Sequence, residues 1–170
     1  MKTFGLLIII LVIGLFTWSN WPTEPLPEGL RADRVLVEKG ARRLTPFRDG
    51  TILKQYTVAL GRNPIGPKER EGDKKTPEGS YRILEHKQPS AFHLALRLSY
   101  PETRDIARAA TLRAAAGSDI MIHGLRNGLG GVGKLHRCFD WTAGCIAVTN
   151  AEIEEIAHAV PDGTRVEIRP

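Results

Sequence analysis

Polar and apolar positions divide the chain into regions of different period. From Phe4 to Phe16 every residue is apolar or glycine, with Lys2 before the run and Thr17-Trp18-Ser19-Asn20-Trp21 after it. Nothing polar interrupts the run, so it has no wet face to make it a buried helix of a soluble domain. Its thirteen residues suit the core of a secretory leader, and the two tryptophans beyond extend it toward the about 20 residues of a spanning helix. Thr17-Trp18-Ser19 makes a poor cleavage site. Residues 1–21 are therefore expected to be a signal peptide or an uncleaved anchor, the anchor preferred, with everything after Trp21 outside the cytoplasm. Residues 22–32, rich in proline and glutamate, read as a linker.

From residue 33 to 170 the pattern is that of one domain. Arg34-Val35-Leu36-Val37, Arg43-Leu44-Thr45 and Ile52–Leu60 alternate as strands, with an Asp49-Gly50 turn that opens an antiparallel meander. Gly61–Gly79 carries nine charged residues among Gly and Pro and predicts a long functional loop. Tyr81–Leu84 and Phe92–Leu98 resume the alternation. Alanine-rich Glu102–Ala115 predicts a helix with Ile106, Ala109, Ala110 and Leu112 on one side, and Ser118–Ile122 a strand running into His123. Thr149 and Glu152 form a capping box for a helix that buries Ile153, Ile156, Ala157 and Val160. Arg165–Ile168 is a last strand. The expected fold is mostly β with two short helices, behind an N-terminal hydrophobic helix.

Composition changes this picture little. The net charge of +5 is spread out, without a basic block or interleaved aromatics, and predicts no nucleic-acid partner. Two cysteines, Cys138 and Cys145, are too few for a disulfide scaffold, though their spacing leaves a redox bridge open.

The chemistry concentrates between Ile120 and Asn150. Cys145 follows Thr142-Ala143-Gly144, whose small residues leave backbone N–H groups unobstructed, as an oxyanion hole requires. His123 ends an apolar strand and precedes Gly124, so its ring can emerge at a strand end as the base for the thiol. His136 is a rival base in a less fixed loop. Gly128–Gly133 matches G-x-G-x-x-G, and Lys134 completes G-x-x-x-x-G-K, but Leu135 stands where a magnesium-binding hydroxyl belongs and no helical pattern follows. The glycines fit a flap over a cleft better than a phosphate cradle. His123, His136, Cys138 and Cys145 lack the close C-x-x-C spacing of a zinc site, so no metal is expected.

These pieces resemble the L,D-transpeptidase catalytic domain (YkuD-like) family. Ile122-His123-Gly124, Thr142-Ala143-Gly144-Cys145-Ile146 with Asn150, and Gly72-Asp73-Lys74-Lys75-Thr76-Pro77-Glu78-Gly79-Ser80-Tyr81 carry the likeness. The resemblance implies a β-sandwich of two curved mixed sheets around a cleft, outside the cytoplasmic membrane. It implies that Cys145 attacks a peptidoglycan stem-peptide amide and releases D-Ala. His123 would act as base, the Gly124 carbonyl would orient it, and amides around Ala143 and Gly144 would hold the oxyanion. The acyl group would pass to an amine on a second stem, giving a 3–3 cross-link, or to a wall-anchored protein, with no cofactor. Arg126, Lys134, Arg137, Trp141, Thr142 and Asn150 are the expected substrate contacts. Two positions depart from the pattern: Ala143 replaces the family's histidine, and Ala147 its arginine. That loss opens the alternatives of an amidase or carboxypeptidase that uses water, and of a tethered wall-binding module without activity.

Overall fold

The computed structural model describes residues 2–170. Helix α1 (Lys2–Ser19) is followed by β1 (Arg34–Glu38), β2 (Arg43–Arg48), β3 (Thr51–Ile52), β4 (Tyr56–Thr57), β5 (Gly79–Ser90) and β6 (His93–Leu98). Then come α2 (Thr103–Thr111), β7 (Met121–His123), β8 (Ile146–Ala147), α3 (Asn150–Ala159) and β9 (Arg165–Arg169). The strands pair in the order β3-β2-β1-β9-β5-β6-β7-β8, with β4 also on β2. Strand β1 runs parallel to β9 and β7 parallel to β8, so the sheet is mixed. Strand β5 joins two halves of the sheet: Gly79 to Arg82 pair with β9, and from Ile83 onward the strand pairs with β6.

Alternation explains the core. Val35 and Val37 of β1 and Val166 and Ile168 of β9 point inward and are buried. Helix α3 starts at a Thr149–Glu152 capping box and buries Ile153, Ile156 and Val160, as its pattern predicts. It packs against β6 and β7 and thereby backs the strand that ends at His123.

Three elements differ from the pattern. Ile52–Leu60 is not one strand; only β3 and β4 pair with β2, and Ala59 then exchanges two hydrogen bonds with Ala147 (3.0 and 2.8 Å). A segment serving partners in both halves of the sheet cannot keep one straight ladder. Strand β5 continues to Ser90 through the polar stretch Glu85–Ser90, which has no apolar face to betray it. Helix α2 is shorter than expected and turns Asp105 and Ala109 inward, leaving Ile106 and Leu112 exposed. Asp105 sets that rotation: it accepts from the Glu102 amide (2.9 Å) and the Tyr81 hydroxyl (3.1 Å).

Helix α1 leaves its side chains from Phe4 to Phe16 exposed. Among the described residues no helix is long and apolar enough to cross a membrane, so the expected spanning anchor gains no support here. The C-terminal end of α1 instead meets the glycine-rich segment Gly130–Cys138, two short 3-10 turns kinked at Gly133. The Ser19 hydroxyl donates to the Val132 carbonyl (2.6 Å) and accepts from the Leu135 amide (3.0 Å). Asn20 donates to the Gly131 carbonyl (3.0 Å) and the Lys134 ammonium to the Trp21 carbonyl (2.7 Å).

Candidate active site

Parallel pairing of β7 with β8 sets Ile122 beside Ile146 and His123 beside Ala147, so Cys145 lies one residue before the paired end of β8. His123 and Cys145 both open into one cavity of about 820 Å³. The flap Gly130–Cys138 and the β5–β6 hairpin form its walls, and most of the lining is apolar: Phe92, Leu125, Leu129, Val132, Leu135 and Phe139. Arg62, Lys87, Arg126 and Asp119 bring charge to it.

The turn carrying the thiol is shaped by two glycines and a threonine. The Thr142 hydroxyl donates to the Cys145 carbonyl (2.7 Å) and accepts from the Gly144 amide (3.1 Å), closing the turn on itself. Gly144 has φ +140, and a Cβ there would stand 2.7 Å from the Lys75 carbonyl oxygen. A Cβ on Gly61 would stand 2.2 Å from the Lys74 carbonyl oxygen and 3.1 Å from the Gly144 Cα. The charged loop Gly61–Gly79 is thus packed rather than free. Asp73 gathers Lys68 (2.7 Å) and the amides of Glu69, Arg70 and Lys75 (2.8, 3.1 and 3.0 Å) in a buried knot beside the cysteine turn.

His123 is 3 % exposed. Its Nδ1 lies 2.7 Å from the Gly124 carbonyl oxygen. A carbonyl only accepts, so the proton sits on Nδ1 and Nε2 keeps its lone pair. Phe92 packs on the ring at 4.5 Å between centroids, and Trp141 meets it edge-on at 5.8 Å. Burial pushes the imidazole pKa below its ordinary value, against the opposing pull of the Gly124 carbonyl. Burial likewise pushes the half-buried Cys145 thiol up, opposed by the Met121 amide that faces the sulfur. Burial thus disfavours the charged form of both groups. The thiol donates to the Asp119 carbonyl (3.4 Å), and among the described residues no hydrogen bond joins it to His123.

Of the residues singled out from the sequence, His123, Arg126, Trp141, Thr142, Ala143 and Cys145 line the cavity. Lys134, Arg137 and Asn150 do not, nor do Gly124 and Gly144. Lys134 is held by the Trp21 carbonyl on the far side of the flap. Arg137 pairs with Glu152 at the start of α3. Asn150 accepts from the Leu125 amide (2.8 Å) and fixes the turn after His123. The Gly144 amide is occupied by Thr142 in this conformation. Both cysteines are free, with Cys138 exposed. Arg62, Lys87 and Phe92 were not singled out, since nothing local marks them; the sheet topology brings them to the cavity. His136, seen from sequence as a loosely placed rival base, is 5 % exposed and lines the same cavity.

A mixed sheet whose strand ends present a half-buried thiol and a tautomer-fixed imidazole to one cleft defines a protein of the cysteine–histidine cleft class. The profile of the L,D-transpeptidase catalytic domain family (YkuD) matches residues 32–168, and the chain belongs to that family. It is 31 % identical over 107 residues to YafK of Escherichia coli (strain K12), covering 62 % of this chain and 36 % of YafK. The fold is similar to that of the helical cell shape determining protein Pgp2 from Campylobacter jejuni: TM-score 0.61, 24 % identity, 91 % of this chain and 54 % of that one. It is also similar to an L,D-transpeptidase from Xylanimonas cellulosilytica: TM-score 0.53, 16 % identity, 86 % of this chain and 65 % of that one. The chain thus spans about a third of the curated relative and about half of Pgp2.

Proposed function

We propose that the protein is a cysteine-dependent L,D-transpeptidase of the cell wall, acting outside the cytoplasm on peptidoglycan stem peptides. Cys145 attacks the carbonyl between the L-centre of the diamino acid and D-Ala, and His123 Nε2 takes the thiol proton. The tetrahedral oxyanion collapses with transfer of that proton to the departing D-Ala nitrogen, leaving a thioester on Cys145. An amine of a second stem, or of a wall protein, then attacks the thioester, and His123 removes its proton. The observation that carries the reading is the His123 tautomer, which leaves an accepting nitrogen in the cavity that the Cys145 sulfur shares. Burial disfavours the charged form of each group, so His123 takes the thiol proton as the sulfur attacks. The likeness to Pgp2 supports a part in cell shape. The exposed apolar surface of α1 supports association with lipid at the membrane face.

A hydrolytic reading has a specific observation behind it. Ala147 is fully buried against Ala59, so no cation stands where the resemblance leads one to expect an arginine. An L,D-carboxypeptidase or amidase would release the same D-Ala without an acceptor. Mass spectrometry of muropeptides incubated with the protein separates the two: cross-linked dimers that need an acceptor amine mean transfer, and free tripeptide without one means hydrolysis. Unaltered function of the Cys145→Ala protein in cells would leave only a wall-binding module.

A further inference from the structure

Strand register sorts the charges on the floor of the cleft into two rungs. Lys87 of β5 stands opposite Ala95 of β6, and Ala95 opposite His123 of β7. Two residues along, Glu85 stands opposite Arg97, and Arg97 opposite Met121. Residues opposite one another share a face of the sheet, as do alternate residues of one strand. Lys87, Met121 and His123 all line the cavity. Because the Met121 amide faces the Cys145 sulfur, the thiol belongs to the Glu85–Arg97–Met121 rung, and the imidazole to the rung that ends in Lys87.

The two rungs differ in charge. Glu85 and Arg97 form an ion pair at 2.8 Å and cancel each other. On the imidazole's rung Ala95 contributes a methyl, and exposed Lys87 has no acidic partner among the described residues. Two strand spacings put the Lys87 and His123 backbones about 10 Å apart, a gap that a lysine side chain and a small anion close together. Asp119 lines the cavity on the sulfur's side, from before β7, and repels an anion toward Lys87.

The reaction decides which part of a stem peptide meets that rung. On acylation the S–C bond forms, the C–N bond to D-Ala breaks, and the thiol proton passes through His123 to the departing nitrogen. That nitrogen lies at His123 Nε2, so the rest of the leaving residue extends past the imidazole, away from the sulfur. It carries a carboxylate one carbon from the nitrogen. In the second half an amine bonds to the acyl carbon, the C–S bond breaks, and the amine's proton passes through His123 to the sulfur. The acceptor nitrogen therefore takes the place that the leaving nitrogen vacates.

We propose that Lys87 is a specificity-determining residue that binds the α-carboxylate of the leaving D-Ala and, by the same geometry, favours acceptor amines that stand next to a carboxylate. This rests on the stem-peptide reading above. The site then acts at a chain end, since an internal residue there offers the ammonium an amide and no charge.

The test uses the full chain in detergent and two disaccharide tetrapeptides, one ending in D-Ala and one in D-alaninamide. Wild type is expected to prefer the free carboxylate about tenfold in kcat/KM, the size of one charge-assisted hydrogen bond. Lys87→Met should abolish that preference and Lys87→Arg keep most of it, with iodoacetamide alkylating Cys145 equally fast in all three. The same preference in wild type and Lys87→Met overturns the proposal, as does a wild type with none. So does loss of the preference in Arg126→Met alone, since Arg126 reaches the cavity from the turn after β7, off this rung. With D-methionine and D-methioninamide as acceptors, wild type should favour the first and Lys87→Met neither. Equal transfer to both by wild type, or transfer to neither, strikes the acceptor half and leaves the leaving-group half to the first ratio. Should wild type release no D-Ala, the enzymatic reading fails. Binding of the two peptides to Cys145→Ala with and without Lys87→Met then decides, and equal affinity for both peptides counts against Lys87.

Discussion

Gly61 and Gly144 cross so closely that a Cβ on the first would lie 3.1 Å from the Cα of the second. One sits at the head of the charged loop, the other beside the thiol, so the position of Cys145 depends on a residue 84 positions away. The hydroxyl of buried Thr76 holds the Gly61 amide (3.0 Å) and fixes the crossing. Gly61→Ala is expected to destabilise by about 1–3 kcal/mol, because the nearest atoms are backbone and cannot step aside. Activity should fall further than stability does. Thermal unfolding beside D-Ala release measures the two; a fully active, fully stable variant would contradict the packing.

The reactive pair has a pH signature. The Cys145 thiol is raised and the His123 imidazole lowered, so the charged form of each is disfavoured in the empty site. Alkylation by iodoacetamide should therefore rise with pH to a midpoint above the ~8.5 of a free cysteine, without a plateau between pH 6 and 8. A reactive thiolate at pH 6 would mean an ion pair instead.

His123→Ala should leave that midpoint nearly in place yet slow acylation of Cys145 by a carbapenem-type β-lactam about 10²–10⁴-fold, since the base acts during attack. Intact-protein mass spectrometry follows the adduct. Equal acylation rates would remove His123 from the mechanism.

Stability should fall on acidification before the carboxylates titrate. His136 has its pKa lowered to about 4, first by burial, so the fold prefers the neutral ring. Its contribution is complete above the unfolded value near 6.5 and is lost as pH falls toward 4, amounting to about 3 kcal/mol. His123, lowered by burial as well, adds with the same sign. Melting temperatures of wild type and His136→Gln between pH 7.5 and 4 check this: the variant should show the shallower slope.

The knot at Asp73 makes a separate demand. Burial alone would raise its pKa, but Lys68 and the amides of Glu69, Lys75 and Arg70 hold it below the usual carboxylate range. Asp73→Ala leaves the Lys68 ammonium, 4 % exposed, without its counter-charge and should cost about 3–5 kcal/mol. Chemical denaturation gives the number; a loss below 1 kcal/mol would mean that the loop is held elsewhere.

How legible this was depended on range in sequence. The capping box of α3 and the alternation of β1 and β9 are local, and each appears where its residues say. His123 and Cys145 were readable because a strand end and a glycine turn mark them within a few residues. The parallel pairing of β1 with β9 joins the two ends of the domain and leaves no trace in either strand. The inward face of α2 is not legible in its apolar positions, because a buried carboxylate, Asp105, outranks Ile106 once Tyr81 and the Glu102 amide claim it. Lys134, Arg137 and Asn150 drew attention as charges and amides near the thiol, whereas their partners Trp21, Glu152 and Leu125 turn them away from the cleft.

The stitching of Ser19, Asn20 and Trp21 to the glycine-rich segment bears on how the molecule is prepared for study. Starting the chain at Pro22 removes the exposed apolar helix α1, yet it strips the Val132 carbonyl and the Leu135 amide of their shared hydroxyl. A trimmed sample would then report a cavity wall that has lost its fastening to the N-terminal helix.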